Sequence, residues 1–233
     1  MTADLEQVRR KYRRVVRIYD FVSARPTEAL RRTAVQRLAL RPGDHALDLG
    51  CGTGLSLGLF RDAVGETGHV YGVDASPDML ARARERVAAA GWYNVQLILA
   101  DAETFELPEP VDALLCFFTH DIVLSETALP RAMQFLGPDA RVAAAGVKLT
   151  HGWRGWIINP VTVAYSLPAV TRRDIERSFR PFAVLEALVA DLRVEEQWLG
   201  SHYLASGRRD GRMNRAYPPH GLTREHPDHA EAR

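Results

Sequence analysis

The sequence predicts a doubly wound α/β fold: a mostly parallel sheet with helices on both faces, closed by a terminal antiparallel hairpin. Three observations predict it. From residue 45 onward, short apolar runs of strand length alternate with segments of helical period, the order that builds a parallel sheet covered on both faces. The first junction, "ALDLGCGTGLSLGLF" at 46–60, sets Gly50, Gly52 and Gly54 between a strand-like and a helix-like stretch. The last regular segments, "RVEEQWLG" and "HYLASG", follow one another without a helix between them and can pair as a hairpin.

Each element has its own local reason. Residues 4–22 read as an amphipathic helix, with Leu5, Val8, Tyr12, Val15, Val16 and Tyr19 at helical spacing and arginines between them. Pro26 suits the start of a second helix, which runs to about Leu40 and stops before "RPGD". Residues 45–49 form a short strand, 55–64 a helix and "HVYGVD" (69–74) a strand. "SPDMLARARERVAAAG" has Ser76 as N-cap, Pro77 at the first helical position and Gly91 at the end, a complete set of helix punctuation. "VQLILA" (95–100) and "VDALLCFF" (111–118) are strands of the buried type. Residues 126–136 read as a helix closed by "GPD", "ARVAAAGVKL" as a strand, and 179–192 as a helix.

The bulk numbers bound the class. A chain of 233 residues, 46% hydrophobic and 25% charged, is an ordinary globular composition that suits one domain. A net charge of +1 gives no general argument for nucleic acid, and no basic strip interleaved with aromatics argues for RNA. No apolar run has membrane-spanning length, and the N-terminus lacks a signal-peptide pattern. Two cysteines, Cys51 and Cys116, make no disulfide framework, so a cytoplasmic location is expected. Residues 1–41 carry eleven Lys or Arg against four Asp or Glu, much of it in "RRKYRRVVR". That run reads as a solvated helix face or as an attractor of an acidic substrate or membrane surface. The expected organisation is one domain over 1–207, with N-terminal helices at 1–41 and an insertion at 148–172, then a polar tail at 208–233. No metal site is expected: His226 and His229 have no accompanying ligand cluster.

The glycines set the chemistry. The turn from strand to helix needs backbone angles that glycine adopts cheaply, and bare backbone lets a ligand lie on the main chain. The order here is G-x-G-x-G, not the dinucleotide G-x-G-x-x-G. Asp48 precedes it, where a carboxylate would repel a pyrophosphate and welcome an ammonium group. Asp74 ends the next strand, where an acidic residue binds ribose hydroxyls, and Asp101 ends the third. The implied ligand carries a cation, a ribose and a base with an exocyclic amine. S-adenosylmethionine has all three.

With these residues the sequence resembles the class I S-adenosylmethionine-dependent methyltransferases over about residues 20–150. "ALDLGCGTG" looks like the first motif, "VYGVDASPDML" the ribose segment, and "LILADAETFELPEPVDALLCFF" the adenine segment and fourth strand. The run "YDFVSARP…LALRPGDHALDLGCGTG" is similar in style to the menaquinone/ubiquinone methyltransferase group. The resemblance implies a Rossmann-like, seven-stranded sheet and an enzyme that turns S-adenosylmethionine into S-adenosylhomocysteine. It implies that Gly50, Cys51 and Gly52 lie against the methionine part of the cofactor, Cys51 as a small space-filler. Asp48 would orient the ammonium; Asp74, with Ala75, would take the ribose; Asp101 and Ala102 would meet the adenine. Met79 would pack on the adenine or in the core, and Tyr12 or Tyr19 would close over the cofactor carboxylate or staple the first helix.

For the chemistry, His120 in "FFTHDI" is the candidate base, because it follows the strand that ends beside the transferred methyl; the other reading is local packing. Asp121 would orient it or start a helix. Thr119 would contact substrate or cofactor. The segment 148–172, with Lys148, Trp153, Trp156 and Tyr165, reads as an acceptor pocket for a flat or greasy molecule or as a surface cap. The expected partner is a small-molecule acceptor in bacterial secondary metabolism, the protein acting as monomer or homodimer. The alternatives are a lipid or quinone methyltransferase at a membrane surface and a non-transferring cofactor-binding regulator or scaffold.

Overall fold

The structure, a computed structural model, describes residues 26–153, 155–156, 158–160 and 177–210. Tyr12, Tyr19, Tyr165, the helix expected at 4–22, the histidines 226 and 229 and most of the 208–233 tail lie outside the described residues.

Helix α1 (26–37) buries Thr27, Leu30, Arg31, Ala34 and Val35, the three- and four-residue spacing of one helical face. Strand β1 (His45–Leu49) leads through the glycine turn to α2 (Leu57–Val64). Strand β2 (His69–Asp74) leads to α3 (Pro77–Ala90) and β3 (Val95–Leu99). The punctuation of α3 is as expected: Ser76 Oγ accepts the Met79 N–H at 3.3 Å, and Gly91 takes the left-handed conformation. Then follow β4 (Val111–Phe117), the short helices α4 (His120–Leu124) and α5 (Ala128–Met133), β5 (Leu136–Val147), α6 (Ala183–Leu188), β6 (Val189–Gln197) and β7 (His202–Arg209).

Among the described residues seven strands lie in the order β3-β2-β1-β4-β5-β7-β6. The first five are parallel, and β7 runs antiparallel between β5 and β6. This is the expected doubly wound sheet with its terminal hairpin. Alternate strand residues feed two cores. Leu47, Leu114, Cys116, Val142 and Ala144 face α5 and α6; Ala46, Ala113, Leu115, Ala143 and Ala145 face α1 and α2. Chain order reverses direction at β1 and β4, the switch point where such sheets open a crevice at their carboxyl ends.

Three boundaries differ from expectation. The helix expected over 126–136 ends at Met133, and "GPD" is part of β5. The register of β4 against β5 shifts between Val111/Leu136 and Ala113/Arg141, so the breaker residues form an irregularity inside a strand and do not interrupt it. The helix expected over 179–192 is confined to Ala183–Leu188, because Val189 starts β6; pairing with β7 overrides the local helical period. Finally, β7 runs two residues into the expected tail. Arg208 and Arg209 pair with β6, and the buried Arg209 guanidinium donates to the Leu136 carbonyl.

Candidate functional site

At the carboxyl ends of β1, β2 and β4 the chain forms a cleft of about 190 Å³ with a smaller recess of about 50 Å³ beside it. Gly50, Gly52, Phe117 and Phe118 line both. The glycine turn makes this possible. Gly50 and Gly52 have φ of 76° and 56°, a region costly to residues with a side chain. A Cβ at Gly50 would stand 2.2 Å from Thr119 Cγ2, whereas one at Gly52 would meet nothing within 4 Å. Gly50 therefore lets the end of β4 approach the turn, and Gly52 leaves open space over the backbone.

The larger part of the cleft gathers Asp74, Ala75, Met79, Asp101, Ala102 and Thr119, all named from sequence. Met79 is buried as well as cleft-lining, so it serves both core and cleft. Asp74 does more than face the cleft. Its carboxylate accepts the Gly52 N–H and the Ser76 N–H, each at 2.8 Å, so it shapes the glycine turn and the entry to α3 together. Burial raises its pKa while those two donors lower it. Asp101 accepts the Glu103 N–H at 2.9 Å and fixes the turn after β3.

The smaller recess holds Asp48 and Cys51 together with two residues that sequence reasoning missed, Thr27 and Arg31. Asp48 is 1% exposed, and its Oδ2 has no hydrogen-bond partner among the described residues. Burial pushes its carboxyl up to about 7, with the Arg31 charge pulling down and Asp74 pushing up. Arg31 is buried, donates to Thr27 Oγ1 at 2.9 Å and lies over the Phe117 ring at 4.8 Å. A carboxylate and a guanidinium thus face one recess, and a ligand with adjacent ammonium and carboxylate groups matches both. Only the burial of an arginine on the apolar face of α1 could have flagged it in sequence. Cys51 is buried beside Asp48 and Asp74, which with burial push its thiol pKa up; it is no nucleophile.

The sequence-named acceptor-side residues do not all gather here. His120 is buried at the start of α4, its Nε2 3.0 Å from Ser178 Oγ, and it is not among the cleft-lining residues. Asp121 and Ile122 line the cleft in its place. Successive residues of a helix point about 100° apart, and His120 falls on the core side while Asp121 falls on the cleft side, the local packing that the sequence also allowed for it. Lys148 is buried and ion-paired with Glu196. Trp153 and Trp156 are 73% and 89% exposed and line neither cavity. Among the described residues no group of three or more His, Cys, Asp or Glu side chains is placed to hold a metal ion, and no helix is long and apolar enough to cross a membrane.

Residues 46–139 match the family described as a methyltransferase domain. Among curated proteins the chain is 35% identical over 145 residues to phosphatidylethanolamine N-methyltransferase of Cereibacter sphaeroides, covering 61% of this chain and 66% of that one. It is 31% identical over 156 residues to aklanonic acid methyltransferase of Streptomyces sp. (strain C5), covering 67% and 62%. It is 35% identical over 128 residues to demethylmenaquinone methyltransferase of Shouchella clausii, covering 55% and 52%. The chain therefore spans between about half and two thirds of the length of these relatives. Among solved structures, an S-adenosylmethionine-dependent methyltransferase from Aquifex aeolicus shares the fold, with a TM-score of 0.54 and 21% identity over 77% of this chain and 89% of that one.

Proposed function

We propose that this chain, built around a methyltransferase domain at residues 46–139, transfers the methyl group of S-adenosylmethionine to a small-molecule acceptor. The observation that carries the reading is the set of carboxylates Asp48, Asp74 and Asp101 at three successive strand ends, arranged around glycine backbone in one double cavity. The residues fit the cofactor. The orphaned, buried Asp48 Oδ2 lacks a donor that an ammonium group would supply. Gly52 leaves room over the main chain where a side chain would stand. The relatives named for phosphatidylethanolamine, aklanonic acid and demethylmenaquinone support a small organic acceptor.

When bound, the cofactor supplies an already activated methyl on sulfonium. The work of the chain is then binding, orientation and exclusion of water. Asp48 and Arg31 hold the two charges of the amino-acid end in the small recess. Asp74 takes the ribose hydroxyls while its N–H contacts keep the glycine turn in shape. Asp101 and the Ala102 backbone face the base, with Met79 and Ile122 as apolar walls. Phe117 and Phe118 stand between the two cavities and shield the junction from water. His120 is a positioning residue for the 178 region, not a base. Bacterial secondary metabolism is the proposed setting, with a cytoplasmic location.

Calorimetric titration tests the reading. S-adenosylmethionine and S-adenosylhomocysteine are expected to bind and NAD is not. Asp74→Ala is expected to weaken binding by about 1–3 kcal/mol. Binding of NAD with no binding of S-adenosylhomocysteine would overturn the reading.

A further inference from the structure

Beyond the cavities, a series of rings leads from the cleft to the surface. Phe117 and Phe118 are 4.9 Å apart between centroids, Phe118 and His202 5.8 Å, and His202 and Trp198 4.2 Å in an edge-on arrangement. Phe118 lines both cavities. His202 is the first residue of β7, paired with Val147 at the carboxyl end of β5, so it stands on the edge of the sheet where the cleft opens. Trp198 is 45% exposed and the adjoining Leu199 74%.

The backbone under these rings is unusual. Phe118, Trp198 and Leu199 have φ of 58°, 47° and 59°, three of the five non-glycine residues with positive φ among the described residues. Bulky side chains adopt this region only where the surroundings force it, and such residues concentrate at functional sites. Here the forcing contacts are visible: Phe118 N–H donates to the Ala145 carbonyl at 2.7 Å, and Ser201 N–H to the Trp198 carbonyl at 3.2 Å.

The histidine is held at one ring nitrogen by a serine hydroxyl. Ser201 Oγ donates its one proton to the Trp198 carbonyl at 2.8 Å and lies 2.8 Å from His202 Nδ1. With the hydroxyl proton on the carbonyl, Nδ1 carries the ring hydrogen and donates to Oγ, and Nε2 keeps a lone pair; this is the tautomer assigned to the ring. Among the described residues no hydrogen bond falls on Nε2. Burial lowers the imidazole pKa to about 4, so the ring is neutral near neutral pH and the lone pair stays available.

We propose that the rings of Phe118, His202 and Trp198 are the seat of the methyl acceptor, that the acceptor is a planar aromatic alcohol, and that His202 Nε2 accepts the hydrogen bond of its hydroxyl. The proposal rests on the reading of the chain as a methyltransferase and adds the acceptor's class and position. Flat rings in edge and tilted contact favour an aromatic partner. The lone pair at Nε2 selects a hydroxyl donor, and the place beside Phe118 sets that hydroxyl next to the cleft.

The test uses the full chain saturated with S-adenosylhomocysteine and three probes followed by calorimetry: 2-naphthol, 2-methoxynaphthalene, which lacks the donor, and 2-decalol, which lacks the flat ring. The wild type is expected to bind 2-naphthol saturably, about fivefold or more tighter than either of the others. Trp198→Ala is expected to weaken 2-naphthol about tenfold, and His202→Ala to erase the difference between 2-naphthol and 2-methoxynaphthalene. Affinity for S-adenosylhomocysteine, read separately in each variant, reports whether the cofactor site and fold survive. Normal cofactor binding without saturable 2-naphthol binding overturns the proposal and leaves the methyltransferase reading standing; loss of cofactor binding by the wild type overturns both. Naphthol binding that depends on Trp153 or Trp156 and ignores Trp198 and His202 also overturns the proposal.

Discussion

Asp48→Asn is the most informative single perturbation, because the structure says both what it removes and how the effect varies with pH. The buried Asp48 carboxyl has a pKa of about 7. An ammonium group seated against its unpartnered Oδ2 favours the charged form and pulls that pKa down. Binding must then expel the proton that the free protein holds. At pH 6 a group of pKa 7 is about nine-tenths protonated and at pH 8 about one-tenth, so uptake of S-adenosylhomocysteine should release roughly 0.9 proton at pH 6 and roughly 0.1 at pH 8. The same linkage makes apparent affinity about tenfold weaker at pH 6 than at pH 8. Asp48→Asn keeps shape but loses the charge, so affinity at pH 8 should fall by about 10- to 100-fold, the range for a charge-assisted hydrogen bond, and its pH dependence should flatten. Calorimetry in phosphate and in Tris separates proton release from intrinsic heat. Equal wild-type affinity at pH 6 and pH 8 with no proton release would refute the reasoning, as would an Asn variant that keeps the full pH slope.

Four further outcomes follow from the same geometry. Because the folded state holds the Asp48 proton above the pH at which an unfolded carboxyl loses it, this group's contribution to stability is full below about pH 4 and is lost as pH rises towards 7, by ~4 kcal/mol at most; urea melts of Asp48→Asn should show a gain at pH 8 that shrinks towards pH 4. Arg31→Met should weaken S-adenosylhomocysteine by about 10- to 100-fold and leave 5′-methylthioadenosine, which lacks the amino acid, within about threefold; equal losses for both would place Arg31 outside the recess. Gly50→Ala meets Thr119 at 2.2 Å from a strained φ and should lower stability by about 1–3 kcal/mol, seen as a fall in Tm that Thr119→Ser partly restores. His120→Ala should cost about 1–3 kcal/mol of stability through the lost hydrogen bond to Ser178 and a small cavity while cofactor affinity stays within about threefold; an unchanged Tm would contradict its buried role.

Most of the sheet, and the gathering of the three aspartates around the glycine turn, were legible in the sequence because their signals are local. Ser76, Pro77 and Gly91 punctuate α3 within one segment, and the three aspartates sit at strand ends that the apolar runs define by themselves. What failed was phase and distance. Locating a helix start does not say whether His120 or Asp121 faces the cleft, since one residue turns the side chain by about 100°. The "GPD" triplet reads as an end, yet it lies inside β5, in the irregularity between the Val111/Leu136 and Ala113/Arg141 pairings with β4. Residues 179–192 read locally as a helix, and only β7, later in the chain, draws Val189 onward into the sheet. Arg31 reaches Asp48 across 17 positions, and the ring series joins residues 118 and 198–202; no window of sequence contains either pair.

The place of β7 has a consequence for biosynthesis. Among the described residues it is the last strand in chain order, yet it lies between β5 and β6. While the ribosome has delivered only β1 to β6, the β5 edge stands open and β6 has no neighbour to pair with, so an apolar row that includes Val142 and Ala144 waits for residues 202–209. The crevice framed by β1, β2 and β4 can take shape during that wait, whereas the edge carrying His202 arrives with β7. A nascent chain is thus exposed to mispairing until its last strand slots in, and chaperone occupancy during synthesis should fall only when β7 clears the exit tunnel.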